Sequence, residues 1–348
     1  LLNSLFNPNK DFPKNISESY TYELKDISKN FDLTLPNYVK DPFHNELLSS
    51  EQGLDEVFQI QVQALKKRLK HTNSKSAIVG VSGGIDSAYS LLILNESCKG
   101  LDIKPISVII PSLGSSEESQ ELAINLSKSL NIQFKKIDIS DLSLDIKNKI
   151  SLESSVANEN IQSRLRTTIL MTLANDMEGI MVGTGTMSEL AVGWCTYNAD
   201  NMSMYNPNGG LPKTILVDVA RMISKNKPHE KIIEEILMRP FTPELEIPED
   251  VERVLTTEQR VGLYSIIDFC LFYTLKYGMI RKDALEISKK LFLDLTNKEI
   301  EFSINSFYDR FIPSQFKRTI IPDSPKIFSF DLSPRGCLRI PSDLNNPF

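Results

Sequence analysis

The residues with the clearest chemical content are Ser82-Gly83-Gly84-Ile85-Asp86-Ser87. Adjacent glycines let a backbone come close to an anion. The amides at a helix start, together with the Ser82 and Ser87 hydroxyls, can cradle phosphate oxygens. Asp86 stands inside that cradle, where it would repel a phosphate unless a cation lay between them, so it is a candidate magnesium ligand. The plainer reading is a strand-to-helix turn with Asp86 as an ordinary acid of the first helical turn. No G-x-x-x-x-G-K-[ST] run occurs, so this is not a Walker loop.

The flanking pattern supplies the elements that such a loop needs. Residues 77–81 form a short apolar, β-branched run ending at the loop, and a helical pattern follows from Asp86 to about Leu94. The alternation repeats, with strands predicted at 106–110, 134–139 and 180–182 and helices at 117–130 and 160–174. Strands alternating with helices predict an α/β fold whose parallel sheet is covered on both faces, with ligands at the carboxyl ends of the strands. Leu54, Phe58, Val62, Leu65 and Leu69 mark one face of an earlier helix. From about residue 250 the pattern turns helical, at 262–277, 282–291 and 298–311, before a proline-punctuated tail. Residues 1–50, rich in Asn, Pro and Ser, read as an arm or linker. The main domain is placed at 51–330 and the tail at 331–348.

Composition narrows the ligand class. With 348 residues, 41% of them hydrophobic, the chain can bury one large core. A net charge of -6 gives no general footprint for nucleic acid, although a local basic pocket can still hold phosphates. The four cysteines form no C-x-x-C pair and no long apolar run suggests a membrane span, which suits a reducing cytoplasm. Three scattered histidines make no zinc cluster.

The Ser-Gly-Gly-x-Asp-Ser loop after a strand resembles the pyrophosphatase loop of the N-type ATP pyrophosphatases, which adenylate a substrate and release pyrophosphate. A second block, Gly183-Thr184-Gly185-Thr186-Met187-Ser188-Glu189, followed by Thr196-Tyr197-Asn198-Ala199-Asp200, Asn206-Pro207 and Lys213-Thr214, resembles the corresponding run of NAD synthetases. That resemblance implies a Rossmann-like sheet of the adenine nucleotide alpha hydrolase type with a helical C-terminal extension. It implies that Thr184 and Thr242 contact ATP, that Glu189 joins Asp86 on magnesium, and that Lys213 reaches the ATP phosphates. It further implies that Arg164, Tyr197, Asp200 and Lys317 meet deamido-NAD, with the segment around Lys317 as a lid. Taken singly, Glu189 is a helix acid and Lys213 a solvated lysine. Arg166, two residues from Arg164, lies on another helix face and reads as a partner in a structural ion pair.

The implied reaction is the last step of NAD synthesis: ATP activates the nicotinate carboxylate and ammonia replaces AMP. Other amidotransferases of the superfamily, such as GMP synthetase, and a non-catalytic nucleotide-binding regulator are the rival readings. Ala199, where most members have glycine, departs from the pattern, and Tyr197 stands where the shorter ammonia-using members carry lysine. Asp41-Pro42-Phe43 and the tail from Ser333 resemble the synthetase half of glutamine-dependent enzymes. No cysteine sits in a nitrilase-like elbow. The expectation is therefore a synthetase module whose glutaminase lies outside these residues, using glutamine-derived or free ammonia and assembling as a homodimer or larger oligomer, as the family implies.

Overall fold

The computed structural model describes residues 37–47, 50–240 and 255–346. In chain order its elements are α1 (Pro42–Leu47), α2 (Glu51–His71), β1 (Ser76–Gly80), α3 (Ile85–Cys98), β2 (Lys104–Ile109), α4 (Glu117–Ser129), β3 (Gln133–Lys136), α5 (Ser140–Lys149) and α6 (Ser155–Asp176). Then come β4 (Gly179–Val182), α7 (Met187–Val192), α8 (Lys213–Ser224), α9 (Glu230–Met238), α10 (Thr257–Val261), α11 (Tyr264–Tyr277), α12 (Arg281–Leu291), α13 (Asn297–Phe311) and α14 (Gln315–Arg318).

The four strands pair in parallel in the order β3-β2-β1-β4. Successive strand residues point to opposite faces. Ala77, Val79, Ile109, Ile180 and Val182 enter the larger core, while Ile78, Ile106, Val108 and Met181 pack on the other face with Leu170 and Ala174 of α6. A sheet buried on both sides is what continuous apolar strands require. The alternation read from the sequence is thus the observed architecture, and the C-terminal helices form the expected extension. Among the described residues, no helix is long and apolar enough to cross a membrane.

Two boundaries differ from the sequence pattern for local reasons, and three helices were not read from it. The third strand ends at Lys136 rather than 139, because Asp138 Oδ1 accepts the Ser140 N–H at 2.7 Å and turns the chain into α5. α6 begins at Ser155, five residues before its apolar pattern, because Ser154 caps it by accepting the Ala157 N–H. α7, α8 and α9 lie between residues 187 and 238, where the motif blocks masked a helical reading. At the end of the stretch read as an arm, Phe43 is buried and packs edge-on against Phe272 and Phe328.

Candidate active site

β1 ends beneath the Ser82–Ser87 loop, and α3 starts at Ile85 directly behind it. Gly83 has φ +94°, and a Cβ there would lie 2.3 Å from the Ser119 carbonyl oxygen, so backbone conformation and space both demand glycine. The hydroxyls fold back on the loop. Ser87 Oγ accepts the Ser82 N–H at 3.1 Å and Ser82 Oγ accepts the Gly84 N–H at 3.2 Å, which sets the loop's curvature.

Lys213, the first residue of α8, is 3% exposed and donates to both oxygens of Asp86, at 2.6 and 2.5 Å. Glu189 sits in the first turn of α7, held by a capping box: its Oε2 accepts from the Thr186 N–H at 2.9 Å and the Thr186 hydroxyl at 3.1 Å. Burial first, and then the neighbouring Asp86 charge, push the Glu189 carboxyl up to about 7, against the pull of Lys213. Two carboxylates facing one ammonium give the group more acid than base at the floor of the cleft. Hard oxygen donors with an uncompensated charge are what a divalent cation such as magnesium requires, so this pair fits that metal.

These groups line one open cleft of about 550 Å³ that also holds Arg164, Tyr197, Asp200 and Lys317. Arg164 donates to the Tyr197 carbonyl oxygen at 3.4 Å, and the Tyr197 ring lies 5.6 Å from Phe316. Asp200 Oδ1 accepts from the Thr196 N–H at 2.7 Å and from Ser163 Oγ at 3.2 Å. Lys317 Nζ donates to the carbonyl oxygens of Gly193 and Cys195, at 2.8 and 2.6 Å, which ties α14 to the turn after α7. Arg166 donates to the Ile110 carbonyl and to the Ser112 and Ser115 hydroxyls, so it braces the loop after β2. Thr184 lines this same cleft and also an adjoining pocket of about 170 Å³ at the carboxyl ends of β1, β2 and β4, next to the Ser82 loop. Thr242 lies outside the described residues.

Residues 57–318 match the family described as NAD synthase. The chain belongs to the NAD synthase family. Among its relatives, the glutamine-dependent NAD(+) synthetase of Mycobacterium tuberculosis is 34% identical over 330 residues, covering 85% of this chain and 48% of that protein. The NH(3)-dependent NAD(+) synthetase of Saccharolobus solfataricus is 30% identical over 233 residues, covering 66% of this chain and 77% of that protein. A solved glutamine-dependent NAD(+) synthetase from Cytophaga hutchinsonii superposes with a TM-score of 0.65 at 19% identity, over 83% of this chain and 54% of that one. The chain spans about half the length of the glutamine-dependent relatives it matches.

Within this candidate site of a NAD synthase family member, several residues escaped the sequence reading. Asn208 is fully buried, and its Nδ2 donates to the Asp86 carbonyl at 3.2 Å, Ser90 Oγ at 2.9 Å and the Thr184 carbonyl at 3.2 Å. One amide thereby joins the loop after β1 to the loop after β4; its Asn-Pro-Asn-Gly-Gly context signals only a turn. Arg239 and Arg310 also reach the cleft, which then carries six basic side chains against four acidic ones in a protein of net charge -6. That local reversal of sign suits a phosphorylated ligand.

Proposed function

We propose that this chain is the synthetase module of an NAD synthetase, and that it converts deamido-NAD to NAD through an acyl adenylate. The nicotinate carboxylate attacks the α-phosphorus of ATP, the bond to the bridging oxygen breaks, and pyrophosphate departs. Ammonia then adds to the acyl carbon, AMP leaves, and a proton lost from the nitrogen completes the amide. The observation that carries this reading is the clamp of Lys213 on Asp86 at the mouth of the Ser82–Ser87 loop, with Glu189 beside it in the same cleft.

In this reading the amides and hydroxyls of Ser82, Gly83, Gly84 and Ser87 bind ATP phosphate oxygens, and Thr184 and Thr242 contact the same nucleotide. Lys213, itself buried, offers a fixed point charge to the leaving pyrophosphate. Asp86 and Glu189 would hold magnesium, which neutralises charge on the departing phosphates. Arg164, Tyr197, Asp200 and Lys317 line the remaining wall and orient deamido-NAD. The similarity to glutamine-dependent relatives over half their length supports a glutaminase outside these residues as the nitrogen source, in preference to free ammonia. It also favours an oligomeric enzyme of the cytoplasm.

The deciding assay measures AMP and NAD formation by the purified chain with magnesium, ATP and deamido-NAD, comparing ammonium chloride with glutamine. NAD is expected with ammonium and not with glutamine. AMP release that does not depend on deamido-NAD, or no NAD at any ammonium concentration, would sink the reading.

A further inference from the structure

Helix α8 begins without an ordinary cap: its N-cap is Pro212, whose side chain accepts no hydrogen bond. The first backbone N–H groups of a helix still need acceptors. Two of them are satisfied from elsewhere in the chain. The Lys213 N–H donates to Ser188 Oγ at 2.7 Å, and the Thr214 N–H donates to Asp268 Oδ2 at 3.1 Å, joined there by the Thr214 hydroxyl at 2.9 Å. Ser188 passes the connection on, since its hydroxyl donates to Asp268 Oδ1 at 2.5 Å.

Asp268 is thus the far end of both contacts. It is 2% exposed, on a helix otherwise made almost wholly of apolar and aromatic residues. Burial holds its carboxyl up at about 6 against the donors that pull it down. A buried carboxylate is costly unless fully hydrogen-bonded, and the positive end of α8 adds a favourable field. Both of its oxygens are engaged, and all three donors belong to the segments that carry the reacting side chains. Ser188 immediately precedes Glu189 in the first turn of α7; Thr214 immediately follows Lys213.

We propose that Asp268 is a positioning residue, whose single carboxylate locks the first turns of α7 and α8 together and so fixes Lys213 against Asp86 and Glu189. This rests on the reading of Lys213 as the lysine that meets ATP phosphates. A structural anchor would only hold α11 in the core. A positioning residue sets where the Lys213 charge stands, and its effect therefore falls on ATP before it falls on the second substrate.

The test uses Asp268→Asn, whose NH2 cannot accept one of the three donors, and Ser188→Ala, which cuts the bridge to Lys213 while leaving Thr214 bound. The measurements are thermal unfolding, binding of magnesium-ATP by calorimetry, and KM for deamido-NAD. Both variants are expected to stay folded and to bind magnesium-ATP about tenfold more weakly, the size of one charge-assisted hydrogen bond. KM for deamido-NAD should stay within about twofold. The double variant should be no weaker than the worse single one, because both changes break one chain of contacts. Wild-type ATP affinity in both folded variants, or losses that multiply in the double variant, would overturn the inference. If the unaltered chain binds no magnesium-ATP, the functional reading itself fails, a result distinct from variants that match a binding-competent parent.

Discussion

Lys213 and Asp86, 127 positions apart in the chain, meet through two hydrogen bonds of 2.6 and 2.5 Å with side-chain exposures of 4% and 20%. Removing either partner has unequal consequences, because Glu189 shares the space. Lys213→Met leaves two carboxylates without their counter-charge, and should cost about 3–5 kcal/mol of stability at neutral pH. Sign follows from charge: burial and the Asp86 charge push the Glu189 carboxyl up to about 7, so acid that protonates Glu189 should shrink the loss. Urea unfolding at about pH 5 and about pH 8 measures it, and an equal loss at both would show that charge is not the cause. Asp86→Asn keeps Lys213 opposite Glu189, so stability should fall less while magnesium-dependent turnover falls at least about a hundredfold. Near-normal turnover would remove Asp86 from the metal role.

Gly83→Ala should be severe for a different reason. The new methyl would meet the Ser119 carbonyl oxygen at 2.3 Å in a backbone at φ +94°. Relief requires the loop to move away from α4. Strain of about 1–3 kcal/mol is expected, together with loss of measurable ATP binding. Retained affinity would mean that the loop amides do not contact the nucleotide.

Neighbours Lys317 and Arg318 should behave oppositely. Arg318 is fully buried and donates to the carbonyls of Leu190, Ala191 and Phe311 and to the Gln315 side chain. It thus closes the C-terminal end of the helix that carries Glu189. Arg318→Met strips those acceptors of their donor and should lower stability by about 3–5 kcal/mol. Lys317→Ala removes two bonds at the rim of the cleft, so KM for deamido-NAD should rise while thermal stability changes by less than about 1 kcal/mol. Unfolding curves and steady-state kinetics on the two variants separate the effects, and a reversed pattern would reassign both residues.

The His44–Asp218 pair predicts a pH-dependent contribution to stability. Nε2 lies 2.6 Å from Asp218 Oδ2, and this hydrogen bond raises the imidazole pKa despite the opposing effect of burial. A raised folded-state value means that the imidazolium favours the fold. The contribution is complete below the unfolded value of about 6.5 and disappears as pH climbs through the folded value. Both side chains are partly exposed, so the effect should stay below about 1 kcal/mol. Comparing His44→Gln with the parent from about pH 5 to about pH 9, the stability gap should narrow as pH rises. A gap independent of pH would remove the charged pair.

The sheet and its phosphate-loop candidate were readable because both are local. Strand, glycines, aspartate and helix follow one another within residues 76–98, and the unbroken apolar run Ala77, Ile78 and Val79 marks a strand buried on both faces. Asp86, Glu189 and Lys213 were each identified, yet their convergence depends on contacts spanning more than a hundred residues, which spacing alone does not encode. Asp268 carried a usable sign. A lone acid in the run Tyr-Ser-Ile-Ile-Asp-Phe-Cys-Leu-Phe-Tyr sits on a helix apolar on every side, and such a helix is buried, so its acid must find donors. Asn208 offered none, since its role is to link two loops that only the sheet brings together.

The order in which these parts emerge during synthesis has its own consequence. Of these parts the Ser82–Ser87 loop emerges first; β4, the strand that pairs with β1 on its outer side, follows about a hundred residues later, and Lys213 and Asp268 later still. Non-local pairings of this kind assemble late because the intervening chain must first be drawn together. A nascent chain that ends before Lys213 therefore holds the loop and Asp86 without the charge that completes the pair. On the ribosome, any step that needs this pair waits until Lys213 has emerged.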